Sequence, residues 1–387
     1  MSKSAALYAA GFTTAFGAHS VAAGLGAEQH ELGLGLLGFG VLLAVYDAAE
    51  VILKPVFGAL SDRVGPKPVI VFGLLAFTLF SFIGIFAASS MLGLALVRLG
   101  QGAAASAFSP ASSAAVARIA GPGRTGKFFG RYGSWKTLGY VLGPLLGAGL
   151  IFLGGFPALF GFMTLMSLAA LAWITVSMPS LAPLPKQRFT VLDLARQVVA
   201  PGFLLPVFAL ACATGALGVA VGFLPQVGAS LHLDSFGSMA VVSVLALCSA
   251  LVQPKAGRLH DEGKLGIRSG LCSGLLLAAA GLGCLAWGTH PAFLYLAAIL
   301  LGSGIGVATP LGFSYLAAAT PGERMGRTMG SAELGRELGD AGGPLLVGAI
   351  AAAASVAAGL WVLAAVLVCA AAASLLLSTK SAMARPS

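Results

Sequence analysis

Charged side chains are scarce in this sequence: Asp, Glu, Lys and Arg together make up only 9% of its 387 residues. A soluble globular chain carries about 25%, and so few charges could not cover the surface of a water-soluble domain of this size. The shortage argues against a soluble enzyme and a disordered protein. The net charge of +9 would suit a nucleic-acid binder, but in a membrane protein an excess of Lys and Arg is typical of cytoplasmic loops. We therefore expect the chain to sit in a lipid bilayer and to bind no nucleic acid.

The sequence also lacks residue clusters that carry metal or covalent chemistry. Its five cysteines lie in apolar stretches without CxxC spacing, which predicts small buried side chains and excludes a secreted disulfide scaffold. It contains no Walker-type loop and no group of Cys and His residues. We therefore expect no metal, no cofactor and no enzymatic activity.

Apolar residues instead form twelve runs, each close to the ~20 residues that a helix needs to cross a bilayer. The sequence thus predicts an all-α polytopic membrane protein with short connections. The longest connection, 179–202, contains several prolines and basic residues and is typical of a linker. The predicted spans are 6–25, 33–57, 68–88, 92–117, 128–153, 158–178, 203–228, 236–256, 269–288, 292–319, 328–350 and 357–377.

The distribution of Lys and Arg supports this number of spans. Eighteen of the 22 basic residues fall in loops or termini on one predicted side of the membrane, and none falls in the loops of the other side. A wrong number of spans would have scattered them. Because positively charged loops stay in the cytoplasm, we expect both termini on the cytoplasmic side of a bacterial-type inner membrane. The other four basic residues lie within spans and are Lys54, Arg98, Lys136 and Arg336.

The two halves of the sequence repeat each other at an offset of 199–200 residues. The pattern Pro-x-x-Gly-x-Leu-x-Asp that ends at Asp62 recurs at Asp261, and Gly139, Gly143 and Pro144 recur 200 residues later. So many matches at one offset predict two six-helix pseudo-symmetric halves related by an axis along the membrane normal. The predicted domains are an N-terminal half at 1–178, a cytoplasmic linker at 179–202 and a C-terminal half at 203–387.

Three motifs resemble those of the major facilitator superfamily. The run Gly58-Ala-Leu-Ser-Asp62-Arg63-Val-Gly65-Pro-Lys67 is similar to the signature between spans 2 and 3, with a weaker copy at Gly257–Asp261. The run Arg98-Leu-Gly-Gln101-Gly102 resembles the span 4 motif associated with proton coupling. The glycines and Pro144 of span 5 resemble a motif of proton antiporters. The resemblance implies a major facilitator fold and points to the twelve-span drug:proton antiporter branch.

The resemblance also implies gating roles. Asp62 would pair with basic residues or with a helix N-terminus and act as a latch that opens during transport; a solvated turn ordered by Gly65 is the alternative. The twin at Asp261 favours the latch. The glycines of span 5 lie four apart on one helix face and let helices pack closely. The predicted gating residues are Gly58, Asp62, Arg63, Gly65, Lys67, Gly139, Gly143, Pro144 and Asp261.

Charges inside the spans are costly in hydrocarbon, so each should face a cavity or a partner. In span 2, Glu50 and Lys54 can pair at a spacing of four, and in span 11 Arg336 can reach Glu333 or Asp340. One interpretation is a structural lattice of ion pairs; the other is that one carboxylate binds and releases a coupling proton. Asp47, with no basic neighbour four residues away, is the first candidate and Glu337 the second. The predicted proton-coupling residues are Asp47, Glu50, Arg98, Glu337 and Asp340.

A second group of span residues is predicted to bind substrate. Lys136 and Arg336 occupy equivalent positions in the repeat and form a candidate clamp for a carboxylate or phosphate. His19 is the only histidine within a span, and a satisfied polar residue is the alternative for it. The predicted substrate-binding residues are His19, Gln101, Lys136, Glu333 and Arg336.

These patterns together predict a secondary transporter that works as a monomer by alternating access, with a small molecule and protons as its partners. The motifs of spans 4 and 5 favour proton-coupled efflux, an antiport, of a small organic molecule. The clamp of Lys136 and Arg336 favours an alternative, an organic-anion uniporter, symporter or exchanger. A non-transporting membrane sensor or scaffold on the same fold is a third hypothesis.

Overall fold

The computed structural model describes residues 4–27, 36–87, 90–184, 200–233 and 235–377. The regular structure within these ranges is helical, which confirms the predicted all-α class. Helices α5 and α6 share one element, Thr125–Ser177, which is broken at Gly154 and Gly155. The other helices are α1 (Ala5–Ala27), α2 (Leu36–Val64), α3 (Pro66–Ala87), α4 (Met91–Ala120), α7 (Pro201–Ser230), α8 (Ser235–Asp261), α9 (Ile267–Ala286), α10 (Pro291–Ala319), α11 (Met325–Ala353) and α12 (Val356–Ser374).

The break between α5 and α6 follows from two glycines and a proline. Gly155 has a φ of +66°, which lies in the left-handed region that glycine adopts without steric cost. Pro157 follows at once, where a helix tolerates a residue without an N–H group. The break falls between the predicted spans 128–153 and 158–178, so the two helices are joined almost without a loop.

Eight helical elements of the described chain are long and apolar enough to cross a membrane, with the element that holds α5 and α6 counted once. Helices α2 and α11, which carry most of the charges in the predicted spans, are not among the eight, and neither is α1. The chain is therefore a multi-pass membrane protein. Residues 1–3, 185–199 and 378–387, which hold both termini and most of the predicted linker, lie outside the described residues. The predicted orientation stays a prediction.

The chain divides into two compact units whose boundaries fall inside α5 and α11. The first unit contains Met1–Ile119, Trp135–Lys186 and Gly322–Leu334. The second contains Ala120–Ser134, Gln187–Pro321 and Gly335–Ser387. Each unit therefore takes the first turns of one helix from the other half of the sequence. The sequence-based domains, which end at 178 and begin again at 203, stay a prediction.

Aromatic and aliphatic side chains fill the centre of the first unit. Phe16 of α1, Phe77 of α3 and Phe160 of α6 are fully buried there, together with Leu42 and Met163. Lipid tails are as apolar as these side chains, so the hydrophobic effect does not drive such helices together. Close van der Waals packing does.

Small residues provide this close packing where α5 meets α1. A Cβ atom on Gly139 would lie 2.6 Å from the Phe12 carbonyl oxygen, and one on Gly143 would lie 2.8 Å from that of Phe16. In the second unit, the equivalent residues Gly339 and Gly343 meet the backbone of α7 in the same way. The repeated glycines of the sequence thus mark equivalent helix contacts in both units.

Replacing Gly143 by Ala should destabilise the protein by about 1–3 kcal/mol, because the backbone of α1 would have to move away. Gly149, on the same helix, is the matched control, since a Cβ atom there meets nothing within 4 Å. Gly149→Ala should instead stabilise by about 0.5–1 kcal/mol through helix propensity. Thermal unfolding in detergent measures both variants, and equal melting shifts would contradict the packing role.

Candidate functional site

Asp62, at the end of α2, caps the first turn of α11. Its Oδ1 atom accepts a hydrogen bond of 2.6 Å from the Gly326 N–H group, and its Oδ2 atom accepts one of 2.9 Å from Arg327 N–H. Because α11 begins at Met325, both amides belong to the first turn and have no partner within the helix. The carboxylate also faces the positive end of the helix dipole.

Asp261, at the end of α8, makes the same pair of contacts with α5. Its Oδ1 atom accepts from Gly126 N–H at 2.9 Å, and its Oδ2 atom accepts from Lys127 N–H at 2.7 Å. Helix α5 begins at Thr125. The repeat seen in the sequence is therefore also a repeat of hydrogen bonds, and we call the two arrangements the Asp62 latch and the Asp261 latch.

Glycines allow the two helices of each latch to approach closely. A Cβ atom on Gly58 would lie 2.6 Å from the Gly326 carbonyl oxygen, and one on Gly330 would lie 2.9 Å from that of Lys54. At the other latch, Gly257 and Gly126 press on each other's backbone in the same way. Side chains at these positions would keep the aspartate from reaching the amides.

Burial raises the pKa of Asp62 above its ordinary value, although the N–H groups of Arg327 and Gly326 and the charges of Arg327 and Arg118 oppose this. The hydrogen bonds thus only partly offset the cost of burying the carboxylate.

The other residues of this motif lie around the latch without touching the α11 amides in the described contacts. Arg63 is exposed. Lys67 Nζ donates to the carbonyl oxygens of Thr175, at 2.9 Å, and Met178, at 2.7 Å, at the end of α6. Gly65 has a φ of +89° and turns the chain between α2 and α3.

A cluster of charged and polar residues joins α2 to α4. Lys54 Nζ lies 2.9 Å from Glu50 Oε2, and both side chains are buried. The Tyr46 hydroxyl donates to Glu50 Oε1 at 3.5 Å, and the Arg98 guanidinium stands 4.0 Å above the Tyr46 ring. Asp47, whose side chain is exposed, is near enough to interact electrostatically with Arg98. The structure therefore brings Asp47, Glu50 and Arg98 of the predicted proton-coupling set together.

Arg98 is buried, yet its Nε and Nη1 atoms have no hydrogen-bond partner among the described residues. The guanidinium charge interacts favourably with the Tyr46 ring and with the nearby acids Asp47 and Glu50. Gln101, three residues on, donates from Nε2 to Ser81 Oγ of α3 at 3.0 Å. Gln101 is thus held within the first unit against α3.

A second buried pair joins α5 to α11. Lys136 Nζ lies 3.5 Å from Glu333 Oε2, and Ser113 of α4 donates to Glu333 Oε1 at 2.7 Å. Glu333 is completely buried. Both of its oxygen atoms thus contact polar partners from other helices, as a buried carboxylate requires.

The remaining predicted residues of α11 belong to the second unit. Arg336 is buried with its guanidinium 5.8 Å from the Phe313 ring centroid, and Phe313 stacks on Phe129. Glu337 and Asp340 are half-buried, and a Cβ atom on Gly218 would lie 2.8 Å from Asp340 Oδ1. In the first unit, the His19 ring packs edge-on against Tyr140 at 4.4 Å. The clamp of Lys136 and Arg336 stays a prediction.

Sequence analysis missed Tyr46, Ser113 and the neutral counterpart of the Glu50–Lys54 pair. Tyr46 precedes Glu50 by one helical turn, so its spacing was a usable signal. Ser113 lies 220 residues from Glu333, and nothing in the sequence joins them. In α8 the repeat-equivalent residues are Ser249 and Gln253, and Gln253 Nε2 donates to Ser249 Oγ at 3.1 Å. Both helices thus have a side-chain contact at this position, which is an ion pair in α2 and a neutral hydrogen bond in α8.

Comparisons with known proteins agree with a duplicated helical membrane transporter. The sequence model described as Major Facilitator Superfamily matches residues 6–269 and 206–387. The chain therefore belongs to the Major Facilitator Superfamily, whose members are transporters and not enzymes. Transport of a small molecule across a membrane is the activity of this class.

Two curated relatives are drug-resistance proteins. The chain is 32% identical over 142 residues to the multidrug resistance protein MdtG of Proteus mirabilis. This match covers 36% of this chain and 35% of that protein. It is 33% identical over 109 residues to the class H tetracycline resistance protein of Pasteurella multocida. This second match covers 28% of this chain and 27% of that protein. The chain thus matches only about a third of the length of these relatives.

The structure is similar to that of the human organic anion transporter MFSD10 (TETRAN). The TM-score is 0.81 over 96% of this chain and 99% of that chain, at 18% sequence identity. At so low an identity the likeness shows a common fold.

Replacing Lys54 alone by Gln should cost about 3–5 kcal/mol of stability, because the buried Glu50 carboxylate loses the ammonium group that is paired with it. The double change Glu50→Ser with Lys54→Gln copies the neutral pair of α8 and should recover most of this loss. Unfolding in detergent micelles at neutral pH measures both. A double variant no more stable than Lys54→Gln would show that the pair is not the source of the effect.

Proposed function

We propose that this chain exports a small organic molecule in exchange for protons. The observation that carries the proposal is the pair of buried carboxylates, Glu50 and Glu333, each held by a lysine inside a predicted span. A buried acid in a membrane helix that can gain or lose a proton is a typical part of a proton pathway. The relatives named above are a multidrug and a tetracycline resistance protein, which supports a drug-like substrate.

Protonation of such a carboxylate would change the contacts of the helices that hold it. A neutral Glu333 attracts Lys136 less, and α11 is then bound less firmly to α5. A neutral Glu50 likewise attracts the Lys54 ammonium less, and the main-chain carbonyl group of Lys54 packs closely on Gly330 of α11. Through these two contacts, proton binding would act on the first turns of α11, which also carry the amides that Asp62 binds. Asp47, Glu337 and Asp340 stay further candidates for the coupling acid.

The proposal also covers the membrane in which the protein lies, its orientation there and its oligomeric state. The bacterial relatives and the apolar helices support an inner membrane, with both termini in the cytoplasm as the positive-inside rule predicts. We propose a monomer, as is usual for this superfamily.

Transport into everted membrane vesicles, acidified inside, tests the proton coupling. Wild-type protein should accumulate a fluorescent drug only while the gradient lasts. Glu50→Gln and Glu333→Gln should reduce this accumulation to the level of vesicles without the protein, because neither glutamine can bind a proton.

The matched control for this assay is Glu262→Gln, which changes an exposed acid paired with Lys264 outside the spans. Substrate exchange without a gradient should persist in all three variants, which separates lost coupling from lost folding. Flux that ignores the gradient in the wild-type protein would refute the antiport.

An organic anion is the second candidate substrate. Lys136 is a buried cation whose described partner is a carboxylate, and a carboxylate or phosphate of a substrate could replace Glu333 there. Arg336, also buried, would be the second arm of the predicted clamp.

Lys136→Met and Arg336→Met distinguish the two candidates. If the substrate is an anion, each change should raise its apparent KM by about 10- to 100-fold, since a hydrogen bond to a charged group contributes about 1.5–3 kcal/mol. Transport of an uncharged drug should change far less. Equal effects on anionic and uncharged substrates would exclude the clamp.

A further inference from the structure

The chain that follows α6 runs along the Asp62 latch. Residues 178–184, which we call the strap, connect the end of α6 to the part of the linker that begins after residue 184. The Leu184 N–H group donates to the main-chain carbonyl oxygen of Asp62 at 2.8 Å. The strap therefore binds the backbone of the residue whose side chain caps α11.

A second contact of the strap lies three residues beyond Asp62. A Cβ atom on Gly65 would lie 2.7 Å from the Leu181 carbonyl oxygen, so the strap packs directly on the turn that ends α2. The φ of +89° at Gly65 already favours glycine. The turn is thus held on one side by α2 itself and on the other by the strap.

Two basic side chains fix the strap at its beginning and its middle. Lys67 Nζ, at the start of α3, donates to the Met178 carbonyl oxygen at 2.7 Å. Arg118, at the end of α4, donates from Nη2 to the Ala182 carbonyl oxygen at 2.7 Å. Arg118 also attracts the Asp62 carboxylate electrostatically. One guanidinium group therefore acts on both the strap and the latch.

The Asp261 latch is built differently. The loop after α8 is closed by contacts within itself: Lys264 N–H donates to the Leu259 carbonyl oxygen at 2.9 Å, and His260 Nδ1 lies 3.0 Å from the Leu265 carbonyl oxygen. On its surface, Glu262 pairs with Lys264 at 2.8 Å. The two latches thus share their capping bonds and differ in what supports the aspartate.

We propose that the strap is a positioning element for the Asp62 latch. Its bonds orient the turn so that both carboxylate oxygens of Asp62 face the first amides of α11. When the strap leaves, the aspartate loses this orientation and α11 is released more easily. A change in the strap therefore acts on the Asp62 latch and leaves the Asp261 latch, which is supported by its own loop, unchanged.

Hydrogen–deuterium exchange of the full-length protein in detergent micelles tests the strap. Leu184→Pro removes the N–H group that bonds to Asp62, and Leu184→Ala keeps it. Exchange at Gly326 and Arg327 should be about 2- to 10-fold faster in L184P than in L184A, the change expected when one hydrogen bond is lost. Exchange at Gly126 and Lys127, which bond to Asp261, should be the same in both variants and serves as the internal control.

A second variant covers the case in which the proline loosens the whole protein. Arg118→Gln removes the charged donor to Ala182 and should also accelerate exchange at Gly326 and Arg327 alone. In an Asp62→Ala background, neither L184P nor R118Q should have any further effect there. If L184P matches L184A, or if R118Q accelerates both latches equally or neither, the strap does not position Asp62 and the proposal is wrong.

Discussion

Amide groups at the start of a helix have no partner within that helix, and in a membrane protein they must find one elsewhere. The first-turn amides of α11 and α5 find theirs in Asp62 and Asp261. These bonds tie α2 of the first sequence half to α11 of the second, and α8 of the second to α5 of the first. The division of the chain into compact units reflects this exchange, since the first turns of α5 and of α11 each belong to the unit of the helix that caps them.

The duplicated framework carries charges that are not duplicated. Glu50 and Lys54 form an ion pair in α2, where α8 has the neutral pair Ser249 and Gln253. One copy thus keeps the helix contact without ionisable groups, and the other adds groups that can respond to protons. A duplicated bundle can in this way keep the same helix contact in both halves while only one of them carries ionisable groups at that position.

Much of the fold could be predicted because it depends on local or periodic signals. Apolar runs indicate the spans, and the glycine pattern at a fixed offset indicates the repeat and its close helix contacts. The pairing of Glu50 with Lys54 was predictable from a spacing of four. The contacts of Glu333 with Lys136 and Ser113 were not, because both residues reach it from other helices. Tertiary packing alone decides such contacts, so the sequence could name the charged residues of the site but not their partners.

The junction of α5 and α6 at Gly154 and Gly155 has a consequence for how the molecule meets its surroundings. Most helices of a polytopic protein are joined by loops that project from the bilayer, and proteases, antibodies and fused tags act on such loops. At this junction only the non-helical residues Gly154 and Gly155 separate the two helices. Phe152 and Leu153 are strongly exposed there, so this end of the helix pair presents an apolar tip to its surroundings and offers no long loop to a protease or a fused tag.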